Sequence, residues 1–202
     1  MNKENIAKIL IKNRAVTVNT KELYVYTSGI KSPIYCDNRL LLAAVEDRKK
    51  IIEAFIKKLA DIQFDIVAGV STAGIPWASW LGIKTDKPVS YIREGKKEHG
   101  KKKSIEGASV SNKNVIIIED LITTGKSSLA AVKEVENAGG RPKALISIFT
   151  YGFKTAKDNF KDADFPVLSL SDFKTLLSVL KSGENMAQED ESILMKWHKN
   201  AG

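Results

Sequence analysis

Cysteine is almost absent: the 202 residues hold one, Cys36. A lone thiol forms no internal disulfide and no metal knuckle, so the chain is expected in a reducing cytoplasm. Long apolar stretches are missing too. No run approaches the roughly 18 residues that a membrane helix needs, and the opening segment MNKENIAKILIKNR breaks its apolar positions with charge every few residues. Neither a membrane span nor a signal segment is expected. There is no internal repeat and no low-complexity linker. Acid is scarcer than base: 24 Asp and Glu against 32 Lys and Arg leave a net charge of +8. Such an excess admits nucleic acid, a membrane surface or an acidic small molecule as a partner. Its distribution narrows the choice, because six basic residues and two acids fall between Arg93 and Lys103, a local +4 that is half of the total.

What is present is an ordinary globular composition, 43% hydrophobic and 28% charged, in a length that suits one domain. Ile6, Ile9 and Leu10 share one face of residues 3–13 and predict a short helix that Asn2 could cap. Residues 15–39, richer in Tyr, Val, Thr, Ser and Gly, predict irregular β structure that forms an N-terminal cap. Ile51, Ile52, Phe55, Ile56 and Leu59 predict a helix over 46–59. Runs at 64–70, 88–92, 115–118 and 144–149 predict short buried strands. Helices over 75–82 and 126–138 separate them, the second stopped by Gly139-Gly140 and followed by Pro142. This alternation predicts an α/β doubly wound fold with a parallel sheet covered on both faces. Helices over 171–181 and 189–198 close the chain. Trp77 and Trp80, three apart on a helix, read as core or dimer interface.

In open parallel sheets ligands bind beyond the carboxyl ends of the strands. The run Val115-Ile116-Ile117-Ile118-Glu119-Asp120-Leu121-Ile122-Thr123-Thr124-Gly125-Lys126-Ser127-Ser128 is a buried strand that ends in two acids and opens a helix through a hydroxyl-rich turn. A helix N-terminus offers unpaired amides and the positive end of a dipole, and Gly125 removes a side chain that would hold a phosphate away. Thr123, Thr124, Ser127 and Ser128 add hydroxyl donors. Glu119 and Asp120 are acceptors that would repel a phosphate lying directly over them and suit vicinal hydroxyls instead. A ligand with both a phosphate and a ribose diol satisfies both halves. The alternatives are a merely capped helix beside solvated acids, and an NTPase phosphate loop suggested by Gly125-Lys126-Ser127. The loop reading needs a first glycine at 120, where Asp120 would oppose the phosphates.

The strand, paired acids and T-T-G-x-S turn resemble the phosphoribosyl pyrophosphate (PRPP) signature of type I phosphoribosyltransferases. Three further blocks resemble successive blocks of the orotate phosphoribosyltransferase family: Ser28-Gly29-Ile30-Lys31-Ser32-Pro33-Ile34-Tyr35-Cys36-Asp37-Asn38-Arg39, Ala68 to Pro76, and Tyr91-Ile92-Arg93 through Lys97, His99 and Gly100 to Ile105-Glu106-Gly107. The resemblance spans nearly the whole chain. It implies a type I phosphoribosyltransferase fold in a single domain, 1–202, with residues 1–40 contributing a hood and 93–109 a mobile catalytic loop. A Gly- and Lys-rich stretch without apolar anchors agrees with such a loop.

The implied reaction transfers the phosphoribosyl group of PRPP to orotate, giving orotidine 5′-monophosphate and pyrophosphate. It implies a homodimer whose loop reaches the neighbouring subunit, Mg²⁺ bound mainly through PRPP, and neither nucleic acid nor membrane as partner. Lys97, His99 and Asp120 take catalytic roles. Arg93, Lys97 and His99 match pyrophosphate-contacting positions, Glu119 and Asp120 the ribose hydroxyls. Leu121, Ile122, Thr123, Thr124, Gly125, Lys126 and Ser127 form the phosphate turn, with Thr123 also beside orotate. No protein metal ligand is implied. Tyr35 could cover the base. The sequence departs from one branch of the family at Thr27, Ala73 and Glu94, where that branch has lysines, and at Lys126, where a small residue is common; Ser71 to Gly74 retain backbone amides that could meet pyrophosphate. A transferase for another base, or a non-enzymatic PRPP sensor acting on nucleic acid, remain the competing readings. No separate recognition-helix or RNA-binding signature supports the second.

Overall fold

The computed structural model describes residues 1–25, 31–93, 104–183 and 186–201. Asn2 starts helix α1 (Lys3–Lys12) by accepting the Asn5 N–H at 3.0 Å, the cap expected from the sequence. Four short strands follow: β1 (Val16–Val18), β2 (Tyr24–Val25), β3 (Lys31–Ser32) and β4 (Ile34–Cys36). They form two antiparallel pairs, β1 with β4 and β2 with β3. A 3-10 helix, Asn38–Ala43, leads into α2 (Val45–Lys58). The chain continues through β5 (Ile66–Val70), α3 (Gly74–Thr85), β6 (Val89–Ile92), β7 (Ile105–Gly107) and β8 (Asn114–Ile122). It ends with α4 (Lys126–Asn137), β9 (Arg141–Thr150), α5 (Lys154–Asn159), β10 (Val167–Asp172), α6 (Phe173–Ser182) and α7 (Gln188–Asn200).

Six strands make one sheet in the order β10-β9-β8-β5-β6-β7, parallel except for β7, which runs antiparallel to β6. Val67, Ile116, Ile118, Ile146 and Ile148 face one apolar cluster, shared with Leu10, Phe55, Trp77 and Phe173 from α1, α2, α3 and α6. Ile66, Ala68, Val115, Ile117 and Leu145 face the other, with Val132 and Val135 of α4. Cover on both faces is why these strands read as continuous aliphatic runs and not as alternating ones. Trp77 is fully buried, as a core residue should be. Trp80 meets it edge-on at 5.3 Å and carries the Arg48 guanidinium 4.3 Å above its ring. Helix α1 packs on α6 and β10, so the first helix of the chain belongs to the core and not to a cap.

Three expectations need correction. The strand expected over 115–118 runs on to Ile122, because β9 continues to pair with it; Glu119 lies opposite Ser147 and Leu121 opposite Phe149. The acids therefore sit inside the strand's last turn of pleat and not after it. The helix expected over 171–181 begins later, since Ser171 and Asp172 pair with β9 as the end of edge strand β10. Asp172 then caps α6 by accepting the Thr175 N–H at 2.9 Å. Serines interrupt β10's apolar residues, which hides it from a search for aliphatic runs. Finally, the segment 93–109 does have an apolar anchor: Ile105 is 9% exposed, Ala108 packs beside it, and β7 pairs with β6. Residues 94–103 lie outside the described residues.

Candidate active site

Two helices begin side by side at the carboxyl ends of the central strands. A Cβ on Gly74, the first residue of α3, would fall 2.4 Å from the Ile118 carbonyl oxygen and 3.6 Å from the Glu119 Cα. A Cβ on Gly69 would fall 2.8 Å from the Gly74 carbonyl oxygen. These approaches press the Ser71-to-Gly74 turn, which includes a cis peptide between Ser71 and Thr72, against the acidic end of β8. The second turn ends at Gly125, the α4 N-cap, with φ +78°. Its Cβ would meet the Phe160 ring at 2.5 Å, so the glycine answers to backbone conformation and to Phe160 as well as to any ligand. No side chain caps α4, and its leading amides keep their donors for an anion.

Around this turn Thr123 and Thr124 are half-buried, whereas Lys126 and Ser127 are exposed. Asn159 steadies it by donating to the Thr124 carbonyl at 2.8 Å. The Leu121 and Ile122 side chains enter opposite apolar clusters, so these two residues can offer a ligand main-chain groups only. Ser128 departs from the expectation of four phosphate-facing hydroxyls. It is fully buried, and its hydroxyl donates to Glu119 Oε2 at 3.1 Å.

Glu119 is 6% exposed, and its Oε1 accepts the Asp120 N–H at 3.2 Å. Burial first, and then the neighbouring Asp120 carboxylate, push Glu119 up to about 9; burial also raises Asp120. Glu119 is thus harder to ionise in the free protein than an exposed glutamate. The sign of the stability effect follows. Between the ordinary glutamate value and about 9 the folded chain binds a proton that the unfolded chain has lost, so stability falls as pH rises through that window. Glu119→Gln should remove this slope: thermal melts from pH 5 to 9 should show a flatter Tm profile than the wild type, with the largest gain at the alkaline end. Parallel profiles would mean that Glu119 folds without a perturbed proton.

The 3-10 segment brings in residues that the sequence reading quoted but did not assign. Asn38, almost fully buried, donates from Nδ2 to the Asp120 carbonyl at 2.8 Å. Arg39 is held by Asp37 through Nε at 2.7 Å and Nη2 at 2.8 Å, and its charge is felt at Asp120. Burial raises the Cys36 thiol well above its ordinary value, with Asp120 and Asp37 adding to it. The available signal was the D-N-R tripeptide beside Tyr35. That ring is 38% exposed and lies 5.6 Å from Tyr24.

At the carboxyl end of β6, Arg93 Nη1 pairs with Glu106 Oε1 at 2.6 Å, and Glu106 Oε2 accepts the Tyr91 hydroxyl at 2.5 Å. The Arg93 N–H donates to the Ser104 carbonyl at 2.8 Å, which closes the neck of the segment between them. Lys97 and His99 lie outside the described residues. Among the described residues, no group of three or more His, Cys, Asp or Glu gathers to hold a metal ion.

The phosphoribosyl transferase domain family matches residues 41–175. The orotate phosphoribosyltransferase of Staphylococcus epidermidis is 41% identical over 199 residues, 98% of each chain. That of Coxiella burnetii is 43% identical over 197 residues, 96% of this chain and 94% of its own. The solved orotate phosphoribosyltransferase of Aeropyrum pernix superposes with a TM-score of 0.75 at 27% identity, across 88% of this chain and 99% of its own.

Proposed function

Since the chain belongs to the orotate phosphoribosyltransferase family and transfers the phosphoribosyl group of PRPP to orotate, we propose how its own residues divide that work. One juxtaposition carries the reading: buried Glu119 and half-buried Asp120 at the end of β8, tied to Asn38, adjoin the uncapped N-terminus of α4. Glu119 and Asp120 accept the ribose hydroxyls. The turn from Thr123 through Gly125 and Lys126 to Ser127 holds the 5′-phosphate, with the Leu121 and Ile122 main chain beside it and Thr123 next to orotate. Arg93, Lys97 and His99, helped by the Thr72-to-Gly74 amides, take the pyrophosphate; the Ser71 N–H is spent on the Ile92 carbonyl at 2.8 Å.

Orotate N1 attacks C1′ as the bond from C1′ to the pyrophosphate oxygen breaks. Positive charge builds on the ribose and negative charge on the leaving group. Lys97 and Arg93 neutralise the leaving group, His99 hydrogen-bonds or protonates it, and Asp120 offsets the charge at C1′. Mg²⁺, carried in mainly by PRPP, would add charge neutralisation at the leaving group beside Arg93 and Lys97. The protein works in the cytoplasm as a homodimer. No described helix is long and apolar enough to cross a membrane. Mixing the protein with PRPP, Mg²⁺ and orotate should lower the absorbance of orotate with time. Unchanged absorbance would overturn the reading even if PRPP bound.

A further inference from the structure

Ser128 belongs to the first turn of α4, where sequence spacing suggests a phosphate donor, yet it has no exposed surface. Its one hydroxyl proton goes to Glu119, nine residues earlier, at 3.1 Å. The second carboxylate oxygen of Glu119 takes the Asp120 N–H at 3.2 Å. Each carboxylate oxygen accepts at about two lone-pair positions; these two donors and the side-chain hydrogen bond that Glu119 shares with Asp120 still leave room for a ligand. We infer that Ser128 is a positioning residue of the ribose site: by donating to Glu119 it orients that carboxylate so that its remaining lone pairs accept the sugar diol. This rests on the ribose reading given above and adds to it a residue that never touches the substrate.

The surroundings of Glu119 make the contribution separable from packing. Strand β9 and helices α3 and α4 face it with Ser147, Gly74 and Ser128, none of which titrates. The titratable groups nearby are Asp120 on its own strand and, acting on Asp120, Arg39 and Cys36 of the hood, with Asp37 beside them. The Ser128 hydroxyl favours the ionised form of Glu119, against burial and Asp120, which oppose it. An ionised carboxylate is acceptor-only, so it can take both hydroxyls of a diol where the protonated acid must spend one oxygen as a donor. Removing the donor should therefore move the acidic limb of PRPP utilisation to higher pH.

The test compares Ser128→Ala and Ser128→Thr with the wild-type enzyme. Ser128→Ala should raise the KM for PRPP by about tenfold, the scale of a hydrogen bond to a charged group. The KM for orotate should stay unchanged, and the acidic limb of kcat/KM for PRPP should shift upward in pH. Ser128→Thr, which keeps the hydroxyl, should restore most of both. Thermal melts should place Ser128→Ala near the wild type. An alanine variant with an unmoved KM and pH limb would overturn the inference, as would a threonine variant no better than alanine. Either result, in an enzyme whose wild type turns orotate over, leaves the ribose reading standing. A wild type without turnover would remove both.

Discussion

Asp120→Asn should lower kcat by about 10²- to 10³-fold, the usual effect of deleting one positioned charge at a reacting centre, while the melting temperature holds or rises. The substitution is isosteric. The bond that ties the hood to this residue runs from Asn38 to the Asp120 main-chain carbonyl and survives it. What disappears is the carboxylate that we propose offsets positive charge at C1′. Removing it also relieves Glu119, whose raised value owes its second-largest contribution to Asp120. Activity and stability should then move in opposite directions, which structural damage would not produce. Steady-state kinetics and a thermal melt on the same preparation decide it. A fall in Tm that parallels the loss of turnover would make Asp120 a structural residue.

Lys97→Ala should likewise cost about 10²- to 10³-fold in kcat, with a smaller rise in the KM for PRPP, because in the proposed division of work the lysine meets charge that grows as pyrophosphate leaves. Arg93 cannot fully substitute. Its guanidinium is already paired with Glu106 at 2.6 Å, and that carboxylate opposes a pyrophosphate in the same place. The two ends of the basic segment meet where Arg93 donates to Ser104, so ten residues with most of the local positive charge leave and return at the carboxyl end of β6. Single-turnover and steady-state rates at fixed ionic strength would measure the loss, since added salt screens exposed charge. Turnover equal to the wild type would take Lys97 out of the catalytic set.

Much of this architecture follows from short-range pattern. The aliphatic run at 115–118, the acids after it and the helix over 126–138 lie within one stretch of chain, and each signal is periodic or contiguous. The parallel, doubly covered sheet follows from the same kind of evidence. Its edges escape it, because β10 alternates with serine and β7 is three residues long. Short, half-exposed strands are recognised by the neighbour they pair with, and a neighbour is not a local property.

The amino-acid order alone therefore determined the acid pair, the hydroxyl- and glycine-bearing turn beside it and the family to which the chain belongs. Only the tertiary structure decided what each side chain at that turn does. Asn38 reaches Asp120 across 82 residues, Phe160 fills the space beside Gly125, and Ser128 points inward to Glu119. A hydroxyl in the first turn of a helix serves ligand or protein according to what is packed over it. That packing brings together groups far apart in the chain, which is why it could not be read from spacing.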